Sequence, residues 1–478
     1  MGDISIETLP QIVSKCIDSF YDGRLKRTGM VVLCRSWDIA QLGWIAGPAA
    51  ILLFSFVGYY TSRLLSRCYR TGDPYTGERN STYMDSVHSI LGGTNFKACG
   101  FFQYITLFGN AISCIFYCFL YNLADSMLYR FPLSNKRAIK YMHGFHENGE
   151  NSCHVLANPY MIMFGITEIL LSQIQDLDQI WWLSIVAAVM FVAYSLIGLG
   201  LGIAQVAEAV PFSTDATETQ KIWRCFQALG NIASAYSFYE ILIETQDTIG
   251  SPPSEVKTMK KAISLSTVVM TTIYMLCGCV RYAAFGDDTP ENFLIDLGFN
   301  KPFWLLDIAN SAIVIHLVGA YQVNSQPIFA LVEKQADQRW PWHISNRPCS
   351  ELIAKEMKIL VPGLGQYNMK LFRLAWRTVF VILTTVISML FPFVFNKVVD
   401  IISLGFWPLM VYFPVEMYIR QERIPKWSTK WVYLQVLSMA CLVISIVAAA
   451  GSVPGLKDDL KTNRPYGMSY DQNAWIFS

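Results

Sequence analysis

The chain is short of charge. Of its 478 residues only 15% are Asp, Glu, Lys or Arg, against about 25% in an ordinary soluble domain, while 53% are hydrophobic and 14% aromatic. That little polar surface cannot clothe a water-soluble fold of this size, and the chain reads as an all-α polytopic membrane protein. An excess of either sign is missing too, with 37 basic against 36 acidic residues, which leaves no basis for a nucleic-acid partner. No H-E-x-x-H, G-x-S-x-G or phosphate-binding loop occurs, and His143, His146 and His154 share a link that lacks a carboxylate pattern for a metal. An enzyme is therefore not expected, and neither is a metal or cofactor. Heptad runs, short repeats and low-complexity tracts are absent. Met1-Gly2 is not followed by a hydroxyl residue at position six, and the first residues hold no apolar signal core, so insertion is expected to rest on the spans themselves. Most of the 12 cysteines, among them Cys114, Cys118, Cys225 and Cys441, lie inside apolar runs, where cysteine acts as a small hydrophobe. Cys277 and Cys279, two apart on a helix, point to different sides and make no metal pair.

What the chain does have is long apolar runs. Residues 1–38 read as a polar arm with Lys15, Arg24, Lys26, Arg27 and Arg35, in which Met30–Cys34 is too short to cross a bilayer before Arg35 and Asp38 intervene. Residues 39–453 read as the transmembrane domain, and 454–478 as a polar tail. The spans fall at Ile39–Leu65, Phe101–Leu123, Pro159–Ile174, Ile180–Val206, Ile222–Ile243, Ala262–Phe285, Phe303–Leu331, Leu371–Phe395, Val398–Ile419 and Tyr433–Val453, about ten helices. Three basic links share one side by helix parity: Arg63, Arg67, Arg70 and Arg79; Lys257, Lys260 and Lys261; and Arg420, Arg423, Lys426 and Lys430. That side is cytosolic, and the acidic link Gly286–Pro302 falls outside. Against the rule stand Arg130, Lys136, Arg137 and Lys140, and the basic arm, which a single span places opposite Arg67. A helix looks to have been lost between Thr28 and Gln41. Asn80-Ser-Thr fits a glycosylation acceptor but falls in the cytosol, so it is read as unused.

Ile222–Thr248 is the most informative stretch. Its middle carries Ala228, Gly230, Asn231, Ala233, Ser234, Ala235 and Ser237, small and polar groups that admit close backbone approach and leave a helix locally unwound. Ser237, Glu240 and Glu244 follow on one helical face, and an ionisable group at membrane depth costs at least roughly 2.5–3.5 kcal/mol unless it faces the bundle interior. A binding path is the leading reading, and a helix-packing seam with Glu244 at the membrane edge is the other. In Phe303–Leu331, Asp307, Asn310, Ser311, Gln322 and Ser325 form a second polar stripe, with His316 nearly opposite as either a packed histidine or a proton carrier. Glu168 pairs across helices or faces a wet crevice. Arg373 with Arg377, and Glu416 with Arg420, read as snorkelling or locally paired charges, and Gly198, Gly200 and Gly202 as a close-packing seam.

From Asp22 to about Arg464 the chain resembles the plant amino acid permeases of the amino acid and auxin permease family, through AQLGWIAGP at Ala40–Pro48, YRTGDP at Tyr69–Pro74, TETQKIWRCFQALG at Thr217–Gly230, SPPSEVKTMKKA at Ser251–Ala262, WLLDIANSAIVIHLVGAYQV at Trp304–Val323 and FWPLMVYFPVEMYI at Phe406–Ile419. The resemblance implies an inverted-repeat transporter of eleven spans that imports amino acids with protons across the plasma membrane. Its first and sixth spans are interrupted and hold the substrate's charged ends. Joined to the two polar stripes, it suggests a substrate path through Asn231, Ser234, Ser237, Asn310 and Ser311, proton-coupling candidates in Glu240, Asp307 and His316, and no cofactor beyond the proton. Here most of the first span is missing between Gly29 and Ala40, aspartate gives way to Asn231, an apolar residue to Glu240 and a small one to Arg281. Cys153 has lost its partner to Gly144. Half of the substrate cradle is then gone, so the chain is expected to transport poorly, or only to bind partners. For the topology, impermeant thiol labelling of introduced cysteines in intact cells is expected to mark position 287 and spare position 79; strong labelling at 79 alone inverts the assignment.

Overall fold

The computed structural model describes residues 26–73, 77–130, 158–174, 181–206, 218–236, 238–249, 254–286, 289, 303–339, 356–361, 365–390 and 405–462. Among these, seven helices are long and apolar enough to cross a membrane, and Met161–Ser172 is a shorter apolar one. The elements run α1 (Lys26–Arg67), β1 (Arg70–Thr71), β2 (Glu78–Arg79), α2 (Tyr83–Leu91), α3 (Gly93–Arg130), α4 (Asn158–Ser172), α5 (Trp181–Val206), α6 (Glu218–Ser234), a 3-10 turn (Phe238–Ile241), α7 (Leu242–Asp247), α8 (Glu255–Phe285) and α9 (Phe303–Arg339). After these come β3 (Glu356–Val361), β4 (Gly365–Lys370), α10 (Leu371–Leu390), a π-helical segment (Trp407–Tyr412), α11 (Phe413–Gln421) and α12 (Thr429–Thr462). Every one of the ten stretches drawn from the sequence carries helix. Three of them, Ile39–Leu65, Ile222–Ile243 and Val398–Ile419, are broken or wound differently instead of continuous. The only strands among the described residues are two antiparallel hairpins in links, which the sequence reading did not foresee.

Composition explains the long helices. α5 is 26 residues without one Asp, Glu, Lys or Arg, and at about 1.5 Å per residue it exceeds a hydrocarbon core of roughly 30 Å. The outer surface is apolar as well: Val436, Met439, Val443 and Ile446 of α12 recur along one face and stand exposed. In water such a stripe would drive aggregation, whereas against lipid tails it costs nothing.

The first helix departs from the sequence reading. Its helical backbone begins at Lys26, inside the arm, and is interrupted at Gly43, whose φ of 81° and ψ of 176° suit glycine and strain other residues. A Cβ on Gly47 would lie 3.0 Å from the Ile39 Cα, although residues eight apart on a straight helix are about 12 Å apart. The chain therefore folds back at Gly43, and the segment before it, roughly 25 Å long, re-enters the bundle. This eases the parity conflict, because the arm is not forced onto the face opposite Arg67.

On the face assigned to the cytosol, the β1–β2 hairpin ties the end of α1 to the starts of later helices. Arg70 and Arg79 both reach the buried Glu255 Oε1, at 3.1 and 2.6 Å, in the first turn of α8. Tyr69 donates its hydroxyl to Asp247 Oδ1 at 2.6 Å; burial first, then this carboxylate, raise the phenol above the usual tyrosine range, so it stays a donor. Asn80 gives its amide to Tyr69 O at 3.1 Å and Thr71 Oγ1 at 3.0 Å and is buried, which removes it as a sugar acceptor in this fold. Arg373 and Arg377 both bond Glu333, at 3.0 and 2.8 Å, and Arg377 also donates to Ser172 O and Ile174 O at the end of α4. Glu416 and Arg420 do not pair with each other: Glu416 takes Gln435, at 2.7 Å, and Arg420 reaches Leu91 O, at 3.5 Å.

Close packing uses the small residues. Gly202 of α5 meets Val280 of α8, whereas Gly200 faces open space, so only part of the glycine seam is used. In α6, a Cβ on Gly230 would lie 2.5 Å from the Ala448 Cβ of α12, and one on Gly451 of α12 would lie 3.1 Å from Phe226 Cβ and Gln227 N. Overpacking of this kind costs about 1–3 kcal/mol. Gly230→Leu is therefore expected to lower the Tm and the surface level of the protein by an amount visible in fluorescence size-exclusion melting, while Gly200→Leu leaves both unchanged.

Candidate functional site

The helix beginning with α6 is interrupted where the sequence placed its small and polar residues. α6 ends at Ser234, Ala235 N still reaches Asn231 O at 3.1 Å, Tyr236 N turns to Ala233 O, and helix resumes only as the 3-10 turn Phe238–Ile241 and the short α7. Small residues lower the resistance to such a break, and the bulky Tyr236 fixes it. Its ring lies 5.8 Å from that of Tyr274, and its hydroxyl reaches Ile51 O at 3.5 Å and Thr271 Oγ1 at 3.2 Å, with Ser55 Oγ a further 2.6 Å from Thr271. Gly58 of α1 makes room, since a Cβ there would meet the Tyr236 Cβ at 3.1 Å.

Polar groups surround the break. Asn231 donates Nδ2 to Asp38 Oδ1 at 3.0 Å, and Asp38 is fully buried. Cys225 of α6 also reaches Gln41 O at 3.0 Å, so the folded-back segment of α1 lies along α6. The sequence reading treated Asp38 only as an obstacle to a span; its spacing to Asn231 across the chain carried no local signal. Ser234 turns its hydroxyl onto Asn231 O at 2.9 Å, within its own helix. Beyond the break Glu240 is fully buried, and its carbonyl accepts Gln103 Nε2 at 2.7 Å. The same Gln103 amide reaches Glu244 Oε1 at 3.1 Å, which also accepts the backbone N–H of Tyr83 at the start of α2. An otherwise unpaired N–H of a helix's first turn is thereby satisfied. Gln103, like Asp38, was missed by the sequence analysis. Ser237 lies outside the described residues. The 3-10 turn also breaks the single helical face expected for Ser237, Glu240 and Glu244.

The second polar stripe divides when seen in three dimensions. Asn310 is 1% exposed, and neither of its amide atoms has a hydrogen-bond partner among the described residues; one turn earlier, the buried Asp307 Oδ1 also lacks one. Ser311, expected beside them, is exposed on the face that also presents Trp304, Ile308 and Ile315, an apolar and lipid-facing surface. Gln322 donates to Glu168 Oε2 at 2.6 Å, so the carboxylate of α4 pairs across helices. His316 holds Nδ1 2.8 Å from Ala187 O between the rings of Phe191 and Tyr194, in the packed arrangement that was the alternative to proton handling. Arg281 is buried with its guanidinium carbon 5.8 Å from the Phe285 ring centre. Among the described residues no cluster of His, Cys, Asp and Glu could hold a metal ion.

The profile of a family described as transmembrane amino acid transporter protein matches residues 26–457. The chain belongs to this transporter family. Its relatives include amino acid permease 4 of Arabidopsis thaliana, 56% identical over 97% of this chain and 100% of that one. Amino acid permease 2 of the same plant is 54% identical over 96% of this chain and 94% of that one. Among solved structures, a crystal structure of MhsT in complex with L-phenylalanine aligns with a TM-score of 0.51 over 92% of this chain and 98% of that one. At 13% sequence identity that likeness speaks for the fold alone. The family match and the relatives bear out the membership of the amino acid permease family read from the sequence, and the structural likeness bears out the helical fold.

The Glu168–Gln322 contact gives a direct test of assignment. Replacing Gln322 by Leu strands a carboxylate with no exposed surface, and an unsatisfied buried group costs about 1–3 kcal/mol. Gln322→Leu is expected to destabilise the transporter in a thermal melt, and Glu168→Gln with Gln322→Leu to recover part of the loss; equal melts for all three would make the contact unimportant.

Proposed function

We propose that the chain is built for proton-coupled import of amino acids across the plasma membrane, with the proton as coupling ion and no cofactor. The observation that carries the reading is the interrupted helix at Ala235–Tyr236, set between two fully buried acidic residues, Asp38 before it and Glu240 after it. A broken helix inside a bundle exposes unpaired backbone groups of both signs, which suit a substrate with an ammonium and a carboxylate at one end. Buried acids near such a site are the ordinary means of passing protons. The permease names of the relatives agree in substrate class. On this reading the path is formed by Asn231, Ser234 and Ser237 with Asn310 facing it, and Glu240 and Asp307 are the proton-coupling candidates.

A second reading, a membrane protein that binds partners without transporting, is favoured by one feature, the folded-back segment ahead of Gly43. It fills a place beside α6 with Asp38 where the family resemblance puts a full interrupted span. Losing about half the backbone groups of a cradle, at roughly 1–3 kcal/mol for each polar group left unpaired, weakens binding by orders of magnitude.

One set of uptake measurements in transport-deficient cells separates the two. The chain as it stands is expected to remain at background, and a version with a relative's first span inserted between Gly29 and Ala40 to take up amino acids at acidic external pH and lose uptake with a protonophore. Uptake by neither version supports the second reading, and robust uptake by the unmodified chain makes the full first span unnecessary. In whichever version transports, Glu240→Gln is expected to flatten the pH dependence; an unchanged profile assigns Glu240 to packing.

A further inference from the structure

The basic residues that orient the chain are not all spent in ion pairs. Arg67, Arg70 and Arg79 each have a carboxylate, Glu422 or Glu255. Arg63, Lys260 and Lys261 have none among the described residues, and these three converge on one shallow, open cleft of about 490 Å³ where Arg63 of α1 meets the cytosolic end of α8. Ser264, Leu265 and Val268 also line it, and among the described residues no acidic one does. The Arg63 guanidinium is held in position, donating NH1 to Tyr59 OH at 2.8 Å with its carbon 5.4 Å from that ring's centre. Ser264 Oγ lies 3.4 Å from the same Tyr59 hydroxyl and donates to Lys260 O at 3.1 Å. One tyrosine therefore joins the two walls.

The two ends of the cleft differ in chemistry. The charged end lies at the cytosolic ends of the helices, and the other end opens where Leu265 and Val268 stand exposed, at 50% and 65%, on the outer face of α8. Three cations gathered within a cleft repel one another until an anion enters, and apolar residues beside them at the lipid boundary offer no anion. A ligand that carries negative charge at one end and hydrocarbon at the other satisfies both. Basic pockets between transmembrane helices on the cytoplasmic side suit such head groups, and the cytoplasmic leaflet supplies them.

We propose that the cleft between α1 and α8 binds an anionic phospholipid, its phosphate received by Arg63, Lys260 and Lys261 and its acyl chains lying along Leu265 and Val268. The basic charge there does more than orient the spans.

The test uses the full chain in phosphatidylcholine nanodiscs with or without a minor fraction of phosphatidylserine, released gently and weighed by native mass spectrometry to count retained lipids. The unchanged protein is expected to keep phosphatidylserine in preference to phosphatidylcholine. The triple change Arg63→Gln, Lys260→Gln, Lys261→Gln is expected to weaken retention at least about tenfold, and the control Lys97→Gln, Arg423→Gln, Lys426→Gln, which removes three exposed charges elsewhere on the same face, to leave it intact. Equal loss in both triples reduces the effect to general surface attraction and overturns the proposal. Displacement of phosphatidylserine by free inorganic phosphate at similar concentration also overturns it, since the site would then be one for a soluble anion. If the cleft triple folds poorly, the single change Lys261→Glu at an exposed position is read instead, with unaltered retention counting against the site.

Discussion

A helix that stops inside a bilayer leaves backbone groups that lipid cannot satisfy, and only neighbouring protein can take them. The break between α6 and α7 is therefore the constraint on which the surrounding structure depends. α1 supplies Gly58 to admit the Tyr236 side chain and Ile51 O to accept its hydroxyl, and α8 supplies Thr271. α3 supplies Gln103, whose single amide holds the carbonyl of Glu240 and the carboxylate of Glu244. α12 closes the other side through Gly451 and Ala448. Each of these contacts matters because water is not there to replace it.

The same logic sorts the polar residues of the membrane domain. Some are spent on structure: Gln322 with Glu168, His316 with Ala187 O, Ser234 with its own helix. Others are buried without a protein partner among the described residues, Asn310 above all. A count of polar residues in a span does not separate the two groups; the direction each side chain takes does.

Much of this was legible in the sequence. Long apolar runs placed the seven membrane-length helices among the described residues, and the small residues of Ile222–Thr248 placed the break, because hydrophobic length and backbone accessibility are local properties. What the sequence could not show were relations across the chain. Asp38 looked like an obstacle until its partner, Asn231, was seen beside it. Ser311 matched the polar stripe by angle, but an angle does not say which side of a helix the neighbours cover, and there lipid does. The fold-back at Gly43 rests on one backbone torsion in a run that otherwise reads as continuous helix. The β3–β4 hairpin was passed over although Met357, Ile359 and Val361 alternate along one face ahead of Pro362-Gly363.

Arg377 carries a mechanical consequence. Its guanidinium joins the last carbonyls of α4 to Glu333 of α9 from its own place on α10, and Arg373 adds a second grip on the same carboxylate. Pulling these helices apart would strip a buried cation of its partners at a cost of several kcal/mol. The cytosolic ends of α4, α9 and α10 therefore act as a single lever: a force applied to one is delivered to all three, and any displacement during a working cycle must occur at the seams around this trio.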